Sequence, residues 1–275
     1  MNYSVLMSVY KNDNPVWLHE AILSILNNTI KPNDFVIVKD GPVTKEIDEV
    51  ISSFQAKNPD VFNIVALEKN MGLGPALNKG ILACKNNLIA RIDADDISDE
   101  KRIEKQLKIF EKFDVDICGT MAKEFKDDIN NVCGLATFPV EHNEIVSYAK
   151  KRNPFCHPSI MFKKDAVIKA GNYQACHLCE DYDLWIRMIT SSSKCYNIDE
   201  YLHYWRVSDD FYKRRSGVKY LKSILSFFKK QYKNGFITRK EYYNAVIIRS
   251  LVYLMPNKFR QFIYKHFLRK KAVDD

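Results

Sequence analysis

Apolar residues along this chain recur on two different periods, and the alternation between the two predicts its architecture. Residues 3–9 (YSVLMSV) form an apolar run of strand length, and Leu18, Ala21, Ile22 and Ile25 then fall on one helical face after Pro15. Residues 34–39 (DFVIVK) predict a second strand closed by the turn Asp40-Gly41-Pro42, followed by a helix from about Lys45 that buries Ile47, Val50, Ile51 and Phe54. Residues 62–67 predict a third strand, 74–84 a small-residue helix, and 88–92 a fourth strand. Four strand–helix alternations are the pattern of a mostly parallel sheet wrapped by helices. Ligands of such sheets lie beyond the carboxyl ends of the strands. Those ends supply Tyr10, Asp40 and the acids from Asp93 to Asp96, so three segments are expected to converge on one polar crevice.

Further along, a helix is expected over 99–113, a strand over 115–120, and a strand pair within 121–138 around the polar turn 126–131. A helix over 141–150, a strand over 159–162, a short helix stopped by Gly171, and a helix over 181–190 with Glu180 and Asp181 at its entrance complete this part. Three helices are expected in the tail. Val218, Leu221, Leu225 and Phe228 mark the first, and Thr238 with Glu241 form a capping box for the second, which ends at Pro256. Residues 257–271 set Phe259, Phe262, Ile263 and Phe267 against six Lys and Arg, the composition of an interfacial helix on anionic lipid. The same residues also suit a helix packed on the body with a solvated basic face.

Charge sharpens this division. Residues 212–271 hold 17 Lys and Arg against one acid, whereas residues 1–211 hold 25 basic and 31 acidic side chains. The chain therefore divides into a mildly acidic body, 1–211, and a basic helical segment, 212–275, that seeks phosphate. No window is long and apolar enough to span a membrane, and the first strand starts without a basic and apolar leader, so a cytoplasmic protein is expected. Seven cysteines, an odd number scattered through structured stretches, suit a reducing compartment. The single C-x-x-C, Cys176 to Cys179, has no second pair at zinc-ribbon spacing.

Candidate chemistry centres on residues 88–98 (LIARIDADDIS), where a buried-looking run ends in Asp93, Asp95 and Asp96. Carboxylates crowded at the end of a core strand repel one another unless a cation offsets them. Mg2+ or Mn2+ would do so and keep coordination positions open for a diphosphate. Asp95, Asp96 and Asp99 equally suit the start of the following helix.

Six ordered motifs extend this reading: SVLMSVY at 4–10, VKDG at 38–41, NMGLGPALNKG at 70–80, DADD at 93–96, HPS at 157–159 and EDYDLW at 180–185. Together they resemble the family-2 glycosyltransferases, inverting nucleotide-sugar enzymes with a Rossmann-like GT-A fold, from about Tyr3 to Trp205. The resemblance implies that Asp40 accepts a hydrogen bond from uracil, with Tyr10 and the backbone at Val9 lining the base pocket. It implies that Gly72 and Asn78 belong to a glycine loop beside the nucleotide. Asp93 would touch the ribose or the metal's water shell, and Asp95 would ligate the metal directly. Asp181 would be the general base that deprotonates the acceptor hydroxyl, Glu180 its supporting carboxylate, and His157 a residue of the acceptor side. Trp185, one turn on from Asp181, is placed to stack on a sugar ring and equally suits the core. Relatives commonly place a histidine shortly after a Y-R pair; here Trp205-Arg206-Val207 is followed by Ser208, with His203 nearby as a substitute ligand.

The expectation is therefore a metal-dependent hexosyltransferase working with Mn2+ or Mg2+. It would move galactose, or next glucose, from a UDP-sugar to an N-acetylhexosamine on polyprenyl diphosphate, in O-antigen or capsule assembly. The basic tail would hold it peripherally on the inner face of an anionic membrane, with no nucleic-acid partner. A nucleotidyltransferase would want a basic triphosphate signature after the first strand, where only Lys11 stands. A non-catalytic scaffold would work through the tail alone.

Overall fold

The computed structural model of the chain describes residues 1–174, 176, 178–207 and 217–254. Its framework is β1 (Ser4–Val9), α1 (Pro15–Leu26), β2 (Asp34–Lys39), α2 (Lys45–Lys57), β3 (Phe62–Ala66), α3 (Leu73–Ala83) and β4 (Leu88–Arg91). Strands β1 to β4 pair in parallel in the order β3-β2-β1-β4, as the alternating pattern predicts. Strand period divides their side chains between two cores. Val5, Met7, Phe35 and Ile37 pack on α1 and α2, whereas Leu6, Val36 and Val38 pack on Leu77 and Ile81 of α3.

The second half adds β5 (Ile97–Ser98), α4 (Arg102–Lys112), β6 (Ile117–Phe125), β7 (Val132–Ala136), α5 (His142–Ala149), β8 (Met161–Lys163), α6 (Lys164–Lys169), α7 (Glu180–Thr190) and β9 (Cys195–Arg206). Strand β8 runs antiparallel between β4 and β6, β9 lies parallel to β6, and β7 forms the expected antiparallel pair with β6. The sheet is thus mixed at this side, and parallel across β3, β2, β1 and β4. Residues 157–159, of which Ser159 was expected as strand, form one 3-10 turn before β8 because Pro158 cannot donate to a ladder. The long β9 was not legible: Asp199 and Glu200 interrupt its apolar alternation, and its register against β6 shifts beside Met121.

The tail supplies α8 (Gly217–Lys233) and α9 (Arg239–Leu254). Thr238 and Glu241 close the expected capping box, with the Thr238 N–H donating to Glu241 at 2.7 Å. These helices share a third core with α7: Tyr182 and Ile186 pack among Tyr220, Leu221, Ile224, Phe227 and Phe228. The expected helix over 257–271, Pro256 and Ser208 lie outside the described residues. Among the described residues no helix is long and apolar enough to cross a membrane. Although the seven cysteines suit a reducing compartment, Cys176 and Cys179 are joined in a disulfide, while Cys84, Cys118, Cys156 and Cys195 are buried thiols.

Candidate active site

Three strand ends build one wall of the site. At the end of β1, the Tyr10 N–H donates to the Asp13 carboxylate (2.8 Å), and the Val9 carbonyl accepts the Asp40 N–H (2.8 Å). Burial, together with the charges of Asp95 and Asp93, pushes the Asp13 carboxyl up to about 7. At the end of β2, both oxygens of buried Asp40 are engaged: Oδ1 accepts the N–H of Met71 (2.7 Å) and Oδ2 that of Gly72 (2.9 Å). Asp40 therefore clamps the glycine loop to the sheet at the N-terminus of α3, where a negative charge is favoured. Gly41 makes this approach feasible. Its φ is +85°, and a Cβ there would stand 2.5 Å from the Asn70 nitrogen.

Beyond β4, oxygens of Asp93, Asp95 and Asp96 come within 4.8 Å of one another, a donor set suited to a hard divalent cation. Burial and the neighbouring charges of Asp96 and Asp93 raise the Asp95 carboxyl to about 8. Such a cluster holds protons until a cation replaces them, so the residues present fit a metal. The three acids are not equivalent. Asp93 is partly exposed and ion-paired with fully buried Arg91. Asp96 is fully buried, accepting from His203 Nε2 (2.9 Å) and the Arg206 N–H (2.8 Å). His203 Nδ1 faces an Arg102 Nη1 at 3.2 Å, and burial and that cation hold the imidazole well below its usual pKa. Both ring nitrogens are committed, which removes His203 as a substitute metal ligand: it supports Asp96 from behind. Arg206 completes this backing. Its Nε donates to the Asp95 carbonyl (2.8 Å), and its guanidinium lies over the Trp17 and Phe125 rings at 4.7 and 4.4 Å.

The opposite wall is the entrance of α7. Asn153 Nδ2 donates to Asp181 Oδ2 at 2.6 Å, and the Glu180 side chain lies against Gly74 in the first turn of α3. Between the walls stands Tyr173, whose hydroxyl meets His157 Nε2 at 2.7 Å. Burial raises this phenol's pKa; the Arg91 charge opposes the rise, and Asp181, Glu180 and Asp93 add to it. One buried side chain thus lies within electrostatic reach of both acidic groups. Burial and the Arg91 charge hold His157 well below its usual pKa, so the His157–Tyr173 pair is neutral. Asn78 serves this wall also, accepting from Asn172 Nδ2 (2.5 Å) and donating to the Tyr173 carbonyl (3.3 Å).

One expectation is corrected by packing. Trp185 is 0% exposed, edge-on to Phe155 and His157, and has no face open to a sugar. It forms the floor under His157. Asp13, Arg91, Asn153 and Tyr173 were not anticipated, and Arg206 was noted only within Trp205-Arg206-Val207, without this role. Of the first four, only Arg91 carried a signal, as a cation inside an apolar strand two residues before Asp93 and hence on the same face.

The family profile "Glycosyl transferase family 2" matches residues 4–170. A relative from Escherichia coli, "UDP-Gal:alpha-D-GlcNAc-diphosphoundecaprenol beta-1,3-galactosyltransferase", is 37% identical over 98% of this chain and 97% of its own. The "Amylovoran biosynthesis glycosyltransferase AmsE" of Erwinia amylovora is 36% identical over 96% of this chain and 98% of its own. Among solved structures, the mannosyltransferase PcManGT from Pyrobaculum calidifontis, in complex with GDP-Man and Mn2+, superposes with a TM-score of 0.66 at 13% identity, over 94% of this chain and 71% of that one. That likeness is one of fold.

Proposed function

Since the chain belongs to glycosyl transferase family 2 and is a hexosyltransferase of GT-A fold, we propose that it transfers galactose from UDP-galactose to an N-acetylhexosamine carried on polyprenyl diphosphate, with UDP-glucose the next candidate donor. Family membership sets aside the nucleotidyltransferase and scaffold alternatives. The donor and acceptor follow the name of the Escherichia coli relative, which aligns over nearly the whole of both chains. Surface-polysaccharide assembly on the inner face of the cell membrane is the setting, with the basic C-terminal segment toward anionic lipid.

The observation that carries the mechanism is the cluster beyond β4, where oxygens of Asp93, Asp95 and Asp96 lie within 4.8 Å of one another, together with Asp181 held by Asn153 at the entrance of α7. In this reading Asp95 and Asp93 hold a divalent cation, Mn2+ or Mg2+. When bound, the ion neutralises charge on the departing diphosphate. Asp96 stays out of that task and holds the loop through His203 and Arg206. Asp40 fixes the glycine loop, and its carboxylate has acceptor capacity left for the uracil N–H beside Val9 and Tyr10. Asp181 removes the proton of the acceptor hydroxyl as its oxygen attacks the anomeric carbon, and inversion follows from attack opposite the leaving group. Asn153 orients the Asp181 carboxylate, and Glu180 stands beside it as a supporting carboxylate in the first turn of α7. The neutral His157–Tyr173 pair offers hydrogen bonds to the acceptor without competing for the proton.

A screen of nucleotide release with Mn2+, over several UDP-sugars and lipid-diphosphate acceptors, tests the proposal. UDP release dependent on UDP-galactose and on an N-acetylhexosamine-diphospho-lipid is expected. Release that depends on another donor, or that needs no such acceptor, would overturn the assignment.

A further inference from the structure

Helix α9 is apolar on both sides. One side, with Tyr242, Ala245, Val252 and Tyr253, packs in the core shared with α8 and α7. The other carries Tyr243, Ile247, Ile248 and Leu251, which are 51, 57, 60 and 64% exposed. Their spacing of four, five and eight residues from Tyr243 puts them on one continuous stripe over two turns. Surface helices ordinarily present charge on that side, and a contiguous apolar stripe marks a contact surface.

Charge decides among the occupants. Residues 217–254 hold eight Lys and Arg against the lone acid Glu241, which is committed to the Thr238 cap and lies 3.8 Å from Lys150. Lys222, Lys229, Lys233, Arg239 and Lys240 are exposed, and the Arg239 guanidinium sits 5.7 Å from the Tyr243 ring at the head of the stripe. A second copy of this face would bring like charges together. So would residues 255–275, which carry six Lys and Arg against two Asp. An anionic bilayer offers both an apolar phase and the opposite charge.

We infer that the outer face of α9 is a membrane-docking surface: Tyr243, Ile247, Ile248 and Leu251 enter the headgroup–acyl boundary while the surrounding cations meet anionic headgroups. The inference rests on the membrane-held acceptor proposed above and gives the chain an orientation. The docked helix pair is bolted to α7 by Lys230 Nζ, 2.8 Å from Asp183 Oδ1, two residues from the proposed base. Docking on α9 thereby sets the crevice at a fixed height over the lipid.

Sedimentation of the full-length protein with phosphatidylcholine vesicles, with and without phosphatidylglycerol, tests this. Binding is expected only with phosphatidylglycerol. The pair Ile247→Glu and Leu251→Glu is expected to weaken it by about tenfold or more, with UDP release on a short-chain, water-soluble N-acetylhexosamine-diphospho-lipid unchanged. Ile247→Ser with Ile248→Ser gives the same direction if the first pair misfolds. Unchanged vesicle binding in both variants overturns the inference, as does wild-type self-association that the variants abolish, or binding lost only on deleting residues 255–275. Vesicle binding that behaves as expected, without transfer to any lipid acceptor, upholds the docking face and overturns the acceptor assignment alone.

Discussion

Gly41 holds φ at +85° with Asn70 packed where a side chain would be. Gly41→Ala is expected to destabilise the chain by about 1–3 kcal/mol in urea unfolding and to raise KM for the donor, because the Asp40 clamp on Met71 and Gly72 loosens with it. Asp95 gives a pH-dependent test. Its carboxyl is raised from 3.8 to about 8, so the folded chain keeps a proton that the unfolded chain releases. That contribution is full below the unfolded value and is lost as pH climbs to about 8. The chelated protein is therefore expected to melt at progressively lower temperature from about pH 4 to about pH 8. Added Mn2+ replaces the proton, so its stabilising shift should grow across the same window and vanish in Asp95→Asn. A melting shift independent of pH would refute this. At this scale the acids were legible because an apolar run stops dead in carboxylates. Tyr173 and Asn153 were not, since each meets its partner only after the chain has folded back. Trp185 was misread by periodicity: it does follow Asp181 by one turn, but there the same helix face has already passed beneath Phe155 and His157.

Helix α7 is the element on which the body and the tail depend together. Its first turn carries Glu180 and Asp181, and its buried Asp183 accepts from Arg187 Nε (2.8 Å), Lys230 and Gln231. Asp183→Ala leaves three donors from two other turns without their acceptor. It is expected to cost about 1–3 kcal/mol in denaturant unfolding. It should lower kcat more than it raises KM, because α7 carries the proposed base and not the proposed donor site; an effect on KM alone would count against that. The capping box at Thr238 was plain in the sequence, since Thr and Glu three apart before an apolar run state their own pairing. Strand β9 was not, because its stability comes from the parallel ladder to β6 and not from its own alternation.

For the whole molecule, four strand–helix units put Tyr10, Asp40 and Asp93 on one side of a parallel sheet, and this was legible from period alone. The antiparallel insertion of β8 between β4 and β6 was not, though it brings the turn with His157 beside Arg91. Nor could composition show that α8 and α9 share a core with α7, because their cations set them apart from the acidic body as a segment that seeks phosphate. In the proposed function, two acidic groups from distant parts of the chain serve one reaction in distinct ways. The most direct test is the turnover number for UDP release from UDP-galactose with Mn2+ and a lipid-diphosphate N-acetylhexosamine, measured in Asp181→Asn with donor binding determined in parallel. A fall of about 10²–10⁴ with donor and metal affinity retained is expected; undiminished turnover in the variant would contradict the account.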